Sequence, residues 1–122
     1  MKKIEAVIRP ERISNVKARL IEIGVGGMTL IDASGWSKER ELHLQWRGQR
    51  IAYDLVPKIK IEIIVPDELA DRVIKSILES AKTEEGHAGD GIIFVSTIDK
   101  SISIGGPSTE NSGKEVIHSS SE

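Results

Sequence analysis

The chain has no cysteine among its 122 residues. That excludes disulfide staples, thiolate metal sites and cysteine nucleophiles, and it fits a reducing compartment, so the expected location is cytoplasmic. Aromatic residues make up only 3% of the sequence, with Phe94 the one ring in the strand-forming stretches, which disfavours a sheet that stacks RNA bases. An excess of one charge is also missing. Lys and Arg number 17 against 19 Asp and Glu, so no nucleic acid or anionic membrane is expected as partner and any anion site has to be local. No apolar run approaches the roughly 20 residues of a membrane span. The opening MKKIEAVIRP sets Glu5 and Arg9 around a short apolar stretch, which is neither a signal sequence nor an inserted segment. No Ser/His/Asp order, HExxH helix or Walker sequence occurs, so no catalytic set is expected. The three histidines, His43, His87 and His118, lack metal-ligand spacing and read as exposed, although pairing of His43 with Glu39 or Glu41 across subunits stays open.

What is present has a clear order. Ile4, Ala6 and Ile8 alternate with Glu5, Val7 and Arg9, a strand that Pro10 ends. From Glu11 the apolar positions Ile13, Val16, Leu20 and Ile23 follow helical spacing, and Gly24 supplies the stop. Met28–Ala33 is a second strand, and KIKIEIIV, Lys58–Val65, is a third with Ile59, Ile61 and Ile63 on one face. Pro66, Asp67 and Glu68 open a second helix with Leu69, Val73, Ile74, Ile77 and Ala81 inward. A fourth strand runs from Gly91 to about Thr97. The order βαββαβ predicts an α+β, ferredoxin-like domain over residues 1–104, with both helices on one face of an antiparallel sheet. The other face carries Lys60, Glu62 and Ile64, a mixture suited to a subunit interface, so a homo-oligomer is expected. Two segments stand outside this core. The 36–57 connection is long enough to be functional or mobile. Residues 105–122, rich in Gly and Ser, read as a flexible tail.

The stretches MKKIEAVIRP, EIGVGGMT, WRG, DLVPKIKIEIIV and GDGIIFV, in this order and spacing, resemble the PII signal-transduction family from Met1 to about Ile104. The resemblance implies a homotrimer whose intersubunit clefts bind ATP or ADP, with 2-oxoglutarate joining ATP through magnesium. It also implies a long loop that docks on a target protein such as a transporter or metabolic enzyme, in nitrogen or carbon metabolism. Carried over residue by residue, Thr29, Gly35 and Ile64 would line the adenine and ribose pocket, and Ser37 joins the nucleotide contacts. Gly89, Asp90 and Gly91 would offer their backbone to the phosphates. Arg9 and Lys58 match positions that hold the carboxylates of 2-oxoglutarate, and their chemistry suits any small carboxylate or bicarbonate.

Several positions depart from the family pattern. Ile92 stands where the family has a lysine, and Ser103 and Gly105 where it has two arginines. Each charge-assisted hydrogen bond contributes about 1.5–3 kcal/mol, so the expected ligand is AMP or ADP, with ATP held weakly. Glu39 replaces the family's magnesium-ligating glutamine; it could bind the metal with the nucleotide but repels a neighbouring carboxylate. The family's modifiable loop tyrosine aligns with Ile51, and Tyr53 lies outside that motif. The loop residues Trp36, Lys38, Arg40, His43, Trp46, Arg47 and Arg50 are the candidate docking surface, with the two tryptophans as anchors. Lys38 or Arg40 could also replace the missing phosphate cations. Plainer readings stand beside these: Gly-Asp-Gly as a simple turn, Arg9 and Lys58 as solvated strand-end charges, and the loop as a solvated segment. At the level of function, the alternative is a trimeric interaction scaffold that has lost nucleotide binding, and a weak metal-binding trimer resembling the divalent-cation tolerance proteins is conceivable.

Overall fold

A computed structural model describes residues 1–36, 42–46, 49–53, 55–106, 108–110 and 115–117. Four strands, β1 (Lys2–Ile8), β2 (Thr29–Gly35), β5 (Val56–Val65) and β6 (Gly91–Thr97), form an antiparallel sheet in the order β2-β5-β1-β6. Helices α1 (Ile13–Glu22) and α2 (Asp67–Ala81) connect them, giving the α+β, ferredoxin-like architecture.

The register explains which residues make the core. Ile4 pairs with Ile63, Ala6 with Ile61 and Ile8 with Ile59, so one face of the two central strands is almost wholly aliphatic. Onto it pack Val16 and Leu20 of α1 and Val73 and Ile77 of α2, all fully buried. Helix α1 stops because Gly24 turns to φ 98°, letting Val25 N–H reach the Leu20 carbonyl and Gly24 N–H the Ile21 carbonyl. This is the paired cap in which the residue after the glycine also contacts the last helical turn, and Val25 is accordingly buried beside Leu20.

The opposite face is open within a single chain. Lys3, Glu5, Lys60 and Glu62 form a lattice there, with Lys60 Nζ 2.9 Å from Glu5 and 3.3 Å from Glu62, and Lys3 Nζ 3.6 Å from both carboxylates. The Lys60 ammonium beside Glu5 holds that carboxyl below its usual range, and the two carboxylates raise Lys60 in return. Around the lattice Ile31, Ile64, Ile92 and Phe94 stay exposed, a large apolar share for a surface meant only for water.

The long connection contains a hairpin that the sequence reading missed. β3 (Leu42–Trp46) and β4 (Gln49–Tyr53) pair antiparallel, from Leu42 opposite Tyr53 to Trp46 opposite Gln49. The signal was present in the alternation L-H-L-Q-W and in the two residues, Arg47 and Gly48, between paired ends. The segment expected as a tail also carries strands: β8 (Ser108–Glu110) pairs with β7 (Lys100–Ser101) and β9 (Glu115–Ile117). β5 begins at Val56, two residues before the expected start, because its pairing with β2 continues to Gly35.

The core assignment is tested by paired substitutions. Ile61→Ala should lower stability by about 2–5 kcal/mol, read as a urea midpoint shift at constant slope. Ile64→Ala, on the open face of the same strand, should change the stability of the isolated chain by less than about 0.5 kcal/mol.

Candidate functional site

At one end of the sheet four strand termini converge: the last residues of β1 and β2 and the first of β5 and β6. The register places Ile8 opposite both Ile59 and Gly91, and Ala33 opposite Lys58. Between α2 and β6 the chain crosses this end in a loop that closes with a short 3-10 turn, Ala88–Asp90. Arg9, Gly35, Lys58, Gly89, Asp90 and Gly91, taken from five separate stretches of sequence, therefore share one corner of the molecule.

Asp90 organises that corner. Its Oδ1 accepts a hydrogen bond from Arg9 Nε at 3.0 Å. Its Oδ2 accepts from Thr83 N–H at 2.8 Å, the Thr83 hydroxyl at 2.9 Å and His87 N–H at 3.1 Å. Burial alone would raise the Asp90 carboxyl, but the hydrogen bonds from Thr83, His87 and Arg9 outweigh it and hold the group well below the usual carboxylate range. The Asp90 amide is itself donated to the His87 carbonyl at 2.9 Å within the turn. Of the three residues expected to present main-chain amides, this one already has an internal acceptor.

Lys58 is not a solvated strand-end charge. It is 3% exposed, its ammonium donates to the Gly89 carbonyl at 2.6 Å, and its stem lies under Gly35, where a Cβ would come within 3.3 Å of Lys58 Cγ. Arg9 keeps 30% of its side-chain surface exposed. Asp90 engages only its Nε, so the Nη end can still meet an external anion. Gly91 has φ 129°, and a Cβ there would fall 2.0 Å from the Val7 carbonyl oxygen. The glycine is thus required by the close approach of β6 to β1, independently of any ligand.

Not all the predicted residues meet here. Thr29 is paired with Glu62 and Ile64 lies one pleat further along β5. Thr29 and Gly35 are six residues apart on β2, about 20 Å at ~3.3 Å per residue. No single adenine–ribose unit spans that distance, so within one chain Thr29 and Ile64 are separated from Gly35 and the Gly89–Gly91 turn. Trp36, at the end of β2, is exposed. Trp46, His43 and Arg50 lie on the hairpin strands, where the backbone alone is described; Ser37, Lys38, Glu39, Arg40 and Arg47 lie outside the described residues. Among the described residues no group of three or more His, Asp or Glu side chains could hold a metal ion, and no helix is long and apolar enough to cross a membrane. Beside the turn, a groove of about 670 Å³ runs between α2 and β6, lined by Ile74, Leu78, His87, Asp90, Ile92 and Val95.

Comparison with known proteins accounts for this arrangement. The family model described as nitrogen regulatory protein P-II matches residues 1–106. The chain belongs to the P-II family. Its relatives include the nitrogen regulatory protein P-II of Pyropia yezoensis and that of Haemophilus influenzae, each 41% identical over 104 residues, covering 85% of this chain and 91% of the relative. The protein of the same name from Rhodobacter capsulatus is 38% identical over 117 residues, 96% of this chain and all of the relative. That alignment runs through the C-terminal segment as well as the core.

The site yields two stability predictions. Asp90→Asn replaces one carboxylate oxygen by a donor that must face Arg9 or the loop amides, and should cost about 1.5–3 kcal/mol near neutral pH. Because the folded-state carboxyl lies below its ordinary value of 3.8, its contribution is complete above that value and is lost as pH falls below it. The gap between wild type and variant in urea melts should therefore narrow on acidification below about pH 4. Gly91→Ala should cost about 1–3 kcal/mol from backbone strain alone, with the same measurement as the check.

Proposed function

We propose that this P-II protein is a regulatory rather than a catalytic molecule, working as a homotrimer that binds an adenine nucleotide between neighbouring copies. It signals to a target protein, a transporter or metabolic enzyme, through the 36–57 loop. The observation that carries this reading is the separation just described. The residues assigned to the nucleotide fall into two sets at different places on the sheet, and a single ligand can touch both only if one copy supplies Thr29 and Ile64 and another supplies Gly35 and the Gly89–Gly91 turn. The open sheet face, with its exposed Ile31, Ile64 and Phe94 around a charge lattice, supports assembly through that face.

The chemistry of the corner favours a modestly charged ligand. Ile92 follows the turn where a cation would be needed for a long phosphate chain, and it is 53% exposed. We therefore assign ADP or AMP as the preferred nucleotide, with ATP weaker. Arg9 and Lys58 form the site of a small anion, such as 2-oxoglutarate or bicarbonate. Glu39, the residue able to carry magnesium with the nucleotide, lies outside the described residues. The engagement of Lys58 and of the Asp90 amide by the protein itself favours a second reading, a trimeric scaffold that keeps the fold without the nucleotide.

Light scattering and thermal melts separate these possibilities. A three-copy mass is expected, and a monomer at every concentration would overturn the assembly. AMP or ADP should raise the melting temperature with concentration, reaching about 2.7 kcal/mol of added stability at a hundredfold excess over Kd, with ATP at equal concentration giving the smaller rise. A trimer that responds to no nucleotide, with or without magnesium, would be the scaffold.

A further inference from the structure

We infer that Asp90 is a positioning residue that joins the Thr83–Gly91 loop and Arg9 into one mechanical unit, so that an anion held by Arg9 tightens the nucleotide-facing turn without any bridging metal. The inference rests on the ligand sites proposed above and adds the route by which they communicate.

The two oxygens of Asp90 face opposite ways. Oδ1 is held by Arg9 at the end of β1, and Oδ2 collects Thr83 N–H, Thr83 Oγ1 and His87 N–H from the loop. Rotation of the carboxylate to follow one side weakens the other. Arg9 is anchored in turn by its own backbone, since its carbonyl accepts the Arg12 N–H at 3.0 Å in the turn that opens at Pro10. The loop is pinned twice more, by Lys58 on the Gly89 carbonyl and by Gly91 against the Val7 carbonyl. Between those pins, the stretch from Thr83 to His87 turns at Gly86 and has no strand or helix partner. Asp90 is its connection to the sheet.

An anion on the Nη end of Arg9 lies across the guanidinium from Asp90, with positive charge between the two negative groups. Fixing the guanidinium removes rotamer freedom that the loop otherwise shares through Oδ1. A nucleotide that needs the ordered turn then meets a loop whose ordering is already partly complete, and the two ligands bind with positive coupling.

The test measures ADP affinity by calorimetry in EDTA, with and without 2-oxoglutarate or bicarbonate, alongside hydrogen exchange of the Thr83, His87 and Asp90 amides. In the wild type the anion should slow exchange at these amides and tighten ADP by about fivefold or more. In Asp90→Asn and in Arg9→Gln that ratio should fall to near one. Arg9→Gln cuts the same link from the strand side and leaves the three loop bonds to Oδ2, so it decides the matter if the Asp90 variant fails to fold. A ratio that persists in both variants overturns the inference, as does a parallel loss of both affinities with the ratio unchanged, which is the mark of a merely structural residue. If the wild type binds no ADP or no anion, the functional reading fails. The link is then judged on the ligand-free protein: faster exchange at Thr83 and His87 in Arg9→Gln upholds it, and unchanged exchange rejects it.

Discussion

The loop between α2 and β6 has no apolar core of its own, and its shape depends on one carboxylate that gathers donors from three separate places. Asp90 holds Thr83 and His87 on one oxygen and Arg9 on the other. Charged acceptors of this kind make short, strong hydrogen bonds, and removing one leaves several donors without an acceptor at once. The corner where Gly35, Lys58, Gly89 and Gly91 meet is therefore built before any ligand arrives. Binding there does not have to organise the backbone from a disordered start.

The same corner shows how one residue can serve both fold and function. Lys58 is buried and bonded to a main-chain carbonyl, and Gly91 is demanded by the approach of two strands. Persistence of Gly-Asp-Gly in a chain of this family is thus explained by packing even where the following cation has become isoleucine. That is why nucleotide preference cannot be argued from the glycines. It turns on the cations, and on the second set of residues at Thr29 and Ile64, which only another copy can bring near.

The sheet divides its labour in a way that suits such an assembly. One face is saturated with helices and gives the chain its stability. The other combines a lattice of alternating charges with exposed Ile31, Ile64 and Phe94. Alternating charges set in-register partners, and the apolar rim contributes area when water is excluded. At the edge, β2 hands the chain to a hairpin-bearing connection, so a displacement at Gly35 is passed directly to the segment read as the docking element.

Strand alternation in Ile4–Ile8 and Lys58–Val65, the helical spacing from Ile13 and from Leu69, and the glycine stop at Gly24 could all be read from sequence, as could the family, because each depends on residues close together along the chain. The 42–53 hairpin was written there too, in a short alternation split by two residues, and was hidden by the expectation of an irregular loop. What tertiary structure alone decided is who holds whom. Arg9 and Asp90 are 81 residues apart and Lys58 and Gly89 are 31 apart; nothing local in either stretch says that these cations point inward to their own chain. Periodicity is a property of neighbours and survives in one dimension, whereas a hydrogen bond between distant strands exists only once the sheet has fixed its register.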